Sequence, residues 1–282
     1  MKIPKSFEML VLNGLVDEVV CQLMSGKEAD VYVVHSQGEI RCAKVYKEAG
    51  MRSFSQQAQY REGRKVRNSR QARAMEKSTR YGRKEHEGAW QNAEVDALLR
   101  LAAAGVRVPQ VYSYIGGVLL MELVVDAEGA AAPRLNDVDF TADQARAHHA
   151  ILLGEVVRML CAGVIHGDLS EFNVLLAADG PVIIDLPQAV DAAGNNHAQR
   201  MLLRDVDNLR AFFGRFAPEL LATQYGAEIW ALYTRGVLQP ATRLTGRFDD
   251  RQGPVDVEGV LRVVGDARAD EEARLLRMRT PG

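Results

Sequence analysis

Three residues, Asp168, Asn173 and Asp185, have the types and spacing of a site for a hard metal ion. The first two lie in VIHGDLSEFNVLL (164–176), where an apolar, strand-like run is interrupted by His166, Gly167, Asp168, Ser170, Glu171 and Asn173. Asp185 ends a second apolar run, PVIID. Carboxylate and amide oxygens suit Mg²⁺, which takes one or two carboxylates, keeps some waters and is completed by phosphate oxygens. On this reading Asn173 and Asp185 hold the metal, and Asp168 orients or deprotonates a hydroxyl. The competing explanation is an Asp-capped turn with an incidental Asn. The pairing of HGDLSEFN with IID argues against it.

Phosphoryl transfer needs more parts, and the sequence supplies candidates in order. D-x-x-x-x-N is the spacing of a protein-kinase catalytic loop. Lys44, in the strand-like RCAKVYK, is a candidate cation for nucleotide phosphates, and Glu94, in the next helical segment, is its candidate partner. SGKEADVY (25–32) is neither G-x-G-x-x-G nor a Walker A loop, since Glu28 follows Lys27. Even so, Ser25, Gly26 and Lys27 at a hairpin can offer a hydroxyl, backbone N–H groups and a charge to phosphate oxygens. In LLMELVV (119–125), Met121 is expected to line an adenine pocket, with backbone hydrogen bonds from around Glu122 and Leu123.

These residues must be positioned by a sheet and by helices. VDEVVCQLM (16–24), VYVVHS (31–36), EIRCAKVYK (39–47), VYSYI (111–115) and VLLMELVV (118–125) read as strands. Gln37-Gly38 and Gly116-Gly117 mark hairpin turns. Residues 88–105 read as a helix, with Trp90, Val95, Leu98, Leu99 and Ala102 at helical spacing and Gly105 as its stop. Beyond about residue 135 the pattern turns helical, with Thr141 as an N-cap and Gly163 past a helix end. Sheet and one helix followed by mostly helices is a two-lobed α+β pattern, unlike alternating βαβ. The expected divisions are an N-terminal extension (1–15), an N-lobe (16–124), a helical C-lobe (125–238) and a tail (239–282).

Composition narrows the function classes. The 282 residues are 47% hydrophobic with net charge −2, giving ample core and no global attraction to nucleic acid or anionic membrane. Residues 52–84 differ, being rich in Arg and Lys with few large apolar side chains. Such a segment is expected to be mobile or only partly helical. Electrostatics there allow an RNA or ribosomal-particle contact, but only Tyr60 and Tyr81 interleave the charges. Cys21, Cys42 and Cys161 form no metal or disulfide pattern and read as three buried thiols of a cytoplasmic protein. MKIPKSFEMLVLNGL lacks the features of a signal peptide, and no run is long enough to span a bilayer.

Together SGKEADVYVV, CAKVYK, LLMELV, HGDLSEFNVLL and IIDLPQAV resemble the RIO family of atypical serine/threonine kinases over roughly residues 16–215. The match is similar to bacterial members near the Rio1 branch. The resemblance implies a trimmed, two-lobed protein-kinase-like fold, with ATP and Mg²⁺ or Mn²⁺ as cofactors and autophosphorylation on serine. It implies Asp168 as catalytic aspartate and Asn173 and Asp185 as metal ligands. It also implies a Lys44–Glu94 ion pair, with Ser25 and Lys27 in the phosphate loop. In this family the metal-binding aspartate, here Asp185, has been suggested to accept the phosphoryl group, which would give ATPase activity. DLP stands where most kinases carry Asp-Phe-Gly. Two other readings remain: a small-molecule kinase of the aminoglycoside or choline phosphotransferase type, and an ATP-gated ribosome-assembly factor. The physiological protein substrate is not legible.

Overall fold

The computed structural model describes residues 5–47 and 93–248. The basic segment 52–84, Trp90 and most of the tail therefore lie outside the described residues. The chain divides into Met1–Arg247 and Phe248–Gly282. Among the described residues, the sheet and the helices belong to the first unit.

A five-stranded antiparallel sheet of order β1-β2-β3-β5-β4 forms the N-terminal part. Its strands are β1 (Glu18–Ser25), β2 (Ala29–Ser36), β3 (Glu39–Tyr46), β4 (Val111–Ile115) and β5 (Val118–Glu122). Both expected hairpins are present. Gln37 and Gly38 have φ of 54° and 81°, and Gly116 and Gly117 have φ of 60° and 78°. Two left-handed residues in a two-residue loop match the twist of the flanking strands.

Side-chain alternation gives the sheet two different faces. Val34, Ala43, Val118 and Leu120 point to one side, where a 3₁₀ turn (Lys5–Phe7) and α1 (Glu8–Leu12) cover them with Phe7 and Leu10, both fully buried. The other side carries Lys44, Tyr46 and Leu119 and faces α2, which covers 93–103. The buried face of α2 is Glu94, Ala97, Leu98 and Leu101. Leu99 and Ala102 are exposed, so the expected stripe is rotated by about one residue. The packing partner, not the apolar spacing alone, selects the face.

The second lobe is built on α3 (Ala142–Cys161), α4 (Ala198–Phe213) and α5 (Tyr225–Thr234). Thr141 caps α3 through a reciprocal capping box with Gln144. Residues 218–234 form a 3₁₀ turn (Pro218–Ala222) followed by α5. Short strands β6 (Val164–Ile165), β7 (Val174–Ala177), β8 (Gly180–Ile183) and β9 (Val190–Asp191) form two two-stranded ladders. Buried Glu228 on α5 accepts hydrogen bonds from the backbone N–H groups of Thr245 and Gly246, at 2.8 Å each, and so fastens the segment after α5. No helix among the described residues is long and apolar enough to cross a membrane.

Of the three cysteines only Cys42 is buried; Cys21 and Cys161 are exposed. β1 is an edge strand with most residues in solvent, so an apolar-flanked cysteine there is not a core residue.

Candidate active site

Lys44 projects from β3 to the interlobe side of the sheet and meets two carboxylates. Its Nζ lies 2.7 Å from Glu94 Oε1 and 2.8 Å from Asp185 Oδ1. Residues from a strand, a helix and a loop of the other lobe, far apart in sequence, thus converge on one ammonium. Burial alone would lower the Lys44 pKa, but Glu94 and Asp185 more than reverse this, so the group stays charged. Burial likewise raises the carboxyl of Asp185, yet Lys44, with help from His166 and Arg134, brings it below the ordinary value. Asp185 has φ of 65°, a left-handed conformation in a non-glycine residue. Such a conformation costs about 1–3 kcal/mol and is kept where the surroundings over-determine it.

The loop bearing Asp168 is held by its backbone. Asp205 on α4 is buried, and its two oxygens accept from Gly167 N–H (2.8 Å) and Leu169 N–H (3.0 Å), on either side of Asp168. Arg204 donates to the Gly167 carbonyl, and Asn208 Nδ2 donates to the Leu169 carbonyl at 2.8 Å. Burial pushes the Asp205 carboxyl up to about 6, against the opposing pull of His166, the two N–H groups and Arg204. The ring of His166 bridges the Ile184 carbonyl (3.0 Å) and the Asp168 N–H (3.3 Å), which ties the two loops together. Burial also raises the Asp168 carboxyl; His166 and Arg204 oppose the rise and Asp185 adds to it.

Asn173 Nδ2 donates to the Asp168 carbonyl at 2.8 Å, which fixes the amide so that Oδ1 is its remaining acceptor. Val174 pairs with Ile183, so Asn173 and Asp185 stand at the same end of the β7–β8 hairpin. Two hard oxygen donors side by side fit a divalent ion completed by phosphate and water. Among the described residues no group of three His, Cys, Asp or Glu is placed to hold a metal ion by itself.

Residues 30–225 match the family model described as the RIO domain, well over half of the sequence. The chain belongs to the RIO family. It is 30% identical over 217 residues to the serine/threonine-protein kinase rio1 of Schizosaccharomyces pombe, covering 73% of this chain and 40% of the relative. It is 31% identical over 212 residues to the RIO-type serine/threonine-protein kinase Rio1 of Haloferax volcanii, covering 73% and 67%. For the human serine/threonine-protein kinase RIO1 the identity is 28% over 220 residues, covering 77% and 37%. The chain spans about two fifths of the length of the fungal and human relatives.

In this RIO chain the SGKEA segment is the β1–β2 connection, with Ser25 paired to Asp30 and Gly26 N–H donating to the Ala29 carbonyl at 2.9 Å. Lys27 is exposed at its tip. Lys47, which carries no motif signal, reaches the Gly26 carbonyl (2.8 Å), Ser25 Oγ (3.1 Å) and Asp30 (2.8 Å). Among the backbone groups expected to face adenine around Glu122 and Leu123, those of Glu122 are partly engaged. Its N–H already donates to the Gln110 carbonyl at 2.8 Å, and its carboxylate takes two bonds from Arg107, at 2.9 and 2.7 Å. Any N–H offered to adenine must come from beyond Glu122, from Leu123 onward. Met121 is part-buried against the interlobe core. Motif reading also passes over Tyr46 and Asp205. Tyr46 was legible as the residue two after Lys44 on one strand face. Asp205 was legible as an acid on the apolar face of α4, among Met201, Leu202, Val206 and Leu209.

Proposed function

We propose that this chain is an ATP-dependent protein kinase that transfers the γ-phosphoryl group to a serine or threonine hydroxyl. The observation that carries this reading is Lys44 held between Glu94 and Asp185, within 2.8 Å of each. A charged lysine in that position can bind nucleotide phosphates, with Glu94 fixing its direction. Ser25, Gly26 and Lys27 would cover the phosphates, and Met121 and Leu123 would border adenine. Asn173 and Asp185 would hold Mg²⁺ or Mn²⁺, which when bound neutralises charge on the phosphates. Asp168 would orient the acceptor hydroxyl and take its proton. Its raised pKa makes it a better base than an ordinary aspartate. The RIO relatives named as serine/threonine kinases favour a protein hydroxyl over a small-molecule acceptor.

The test is transfer of labelled γ-phosphate from ATP with Mg²⁺ by the purified protein, followed by phosphoamino-acid analysis. Phosphoserine that disappears in Lys44→Met supports the reading. Transfer at the wild-type rate by Lys44→Met overturns the assignment of Lys44.

One feature favours a second activity at the same site. Asp185 is half-exposed, with Oδ1 bonded to Lys44 and no hydrogen bond to Oδ2 among the described residues. A carboxylate oxygen beside a phosphate-binding lysine can attack the γ-phosphorus of ATP as the bond to the β-phosphate oxygen breaks and ADP leaves, and water would then hydrolyse the acyl phosphate to carboxylate and inorganic phosphate as ATPase turnover. Hydroxylamine cleaves acyl phosphate and spares phosphoserine. Label that is wholly resistant to it removes this second activity.

A further inference from the structure

Tyr46 stands two residues after Lys44 on the same face of β3. Its hydroxyl donates to Glu94 Oε2 at 2.6 Å, while Lys44 takes Oε1 at 2.7 Å. Each oxygen of Glu94 therefore has its own donor. Both residues are buried, Tyr46 at 7% and Glu94 at 2% exposure, so water does not substitute readily for either bond. Burial, reinforced by the neighbouring Glu94 charge, moves the Tyr46 phenol pKa well up, which keeps it a donor at any working pH. The ring is set edge-on to Tyr114, with centroids 6.2 Å apart. Lys44 Nζ also lies 5.4 Å from the centroid of the Tyr46 ring, so the ring packs on Tyr114 and beside the lysine, and a Phe there would keep both contacts.

A carboxylate with a single partner can rotate and offer both oxygens to it. Without the phenol, Glu94 would be free to take Lys44 in a two-oxygen pair and draw the ammonium back towards α2. With the phenol held on Oε2, the carboxylate plane is fixed with Oε1 towards the lysine, and Nζ keeps directions open towards Asp185 and the phosphate side. We infer that Tyr46 is a positioning residue that fixes the Glu94 carboxylate so that Lys44 is presented to the phosphates of the nucleotide. This rests on the nucleotide-binding reading above. Tyr46 acts through Glu94 and Lys44 and touches no substrate itself.

The experiment compares full-length wild type, Tyr46→Phe, Lys44→Met and the double variant. Phe keeps the ring that packs on Tyr114, so only the hydroxyl is removed. Binding of ATP with Mg²⁺ and of adenosine is measured by calorimetry, and KM and kcat by phosphate transfer. Loss of one hydrogen bond to a charged group is expected to weaken ATP binding and raise KM about tenfold. The change in kcat should stay within about threefold, and adenosine, which has no phosphates, should bind unchanged. In the Lys44→Met background, Tyr46→Phe should alter ATP affinity by less than about twofold, because the effect runs through the lysine. Wild-type ATP affinity in Tyr46→Phe overturns the inference and leaves the proposed function standing. Equal weakening of ATP and adenosine overturns it too, since that is the mark of a merely structural tyrosine. Absence of ATP binding by the wild-type protein overturns the proposed function, and the inference with it.

Discussion

Replacing Asp205 by Asn should separate the stability of the fold from the performance of the loop that carries Asp168. In the native protein the two oxygens of Asp205 receive Gly167 N–H and Leu169 N–H at 2.8 and 3.0 Å. Asparagine has one acceptor oxygen; its NH₂ would face the second N–H, donor against donor. A buried unsatisfied N–H costs about 1–3 kcal/mol. Set against this, burial raises the Asp205 pKa from 3.8 to about 6, so at neutral pH holding the charge costs about 3 kcal/mol, which the neutral amide avoids. The two effects nearly cancel, and Asp205→Asn should unfold in urea within about 2 kcal/mol of wild type at pH 7. Activity should not be spared. Asp168 sits between the two anchored N–H groups, and a misplacement on the order of 1 Å can lower kcat about 100-fold. The same logic gives a pH signature. Protonating native Asp205 turns one acceptor into a donor, so wild-type kcat should fall as pH drops through about 6, whereas the variant should stay low, with no such limb. Steady-state phosphate transfer between pH 5 and 8, alongside urea unfolding, reads both. Wild-type kcat in Asp205→Asn, or a wild-type profile flat through pH 6, would contradict this role for Asp205.

Three other outcomes are expected. His149 is buried against Phe213 and Tyr225, its Nε2 has no hydrogen-bond partner among the described residues, and burial lowers its pKa from 6.5 to about 4. The unfolded chain binds this proton more readily, so this contribution to stability is present above pH 6.5 and is lost as pH falls to 4, by about 3 kcal/mol. Asp205 has the opposite sign, its contribution being full below pH 3.8 and lost as pH rises through about 6. Urea titrations from pH 7 to 4 should therefore show His149→Phe gaining on wild type and Asp205→Asn losing ground; parallel curves would disprove both assignments. Asn173→Ala removes one proposed metal ligand, and the Mg²⁺ concentration for half-maximal transfer should rise about 10-fold or more; an unchanged Mg²⁺ requirement would take Asn173 out of the metal site. Under native conditions a thiol reagent should modify Cys21 and Cys161 but reach Cys42 only after unfolding, because burial both shields that thiol and raises its pKa to about 12. Mass spectrometry of labelled peptides checks this.

The residues proposed to meet ligand groups directly were readable in the sequence, because the chemistry restricts which residue types can serve and the loops restrict their spacing. Asp168, Asn173 and Asp185 are of this kind, as are the hairpin turns, where positive φ favours few residues. The residues that hold others in place were harder to read. Asp205 acts on backbone N–H groups 36 and 38 positions away, and Arg107 on Glu122 15 positions away. Many polar residues could do the same from many places, so local sequence can flag an acid on an apolar helix face, as at Asp205, without naming what it holds. The buried face of α2 and the exposure of Cys21 and Cys161 depend on what packs beside them. Hydrophobic spacing cannot supply that by itself.

The N-terminal cover of the sheet has a practical consequence for dissecting this protein. Sequence similarity recognises residues 30–225, whereas the compact unit runs from Met1 to Arg247. A fragment cut at the limits of similarity would lack α1, the edge strand β1 and nearly all of α5, including Glu228. Removing Phe7 and Leu10 alone would bare Val34, Ala43, Val118 and Leu120 and forfeit about 3–6 kcal/mol of apolar burial. Loss of β1 would leave β2, with its Val31, Val33 and Val34, as an unprotected edge. Such a fragment should be recovered as aggregate. The smallest well-folded piece of this RIO protein should therefore be larger than the stretch that sequence similarity recognises, and expression trials should begin upstream of Phe7.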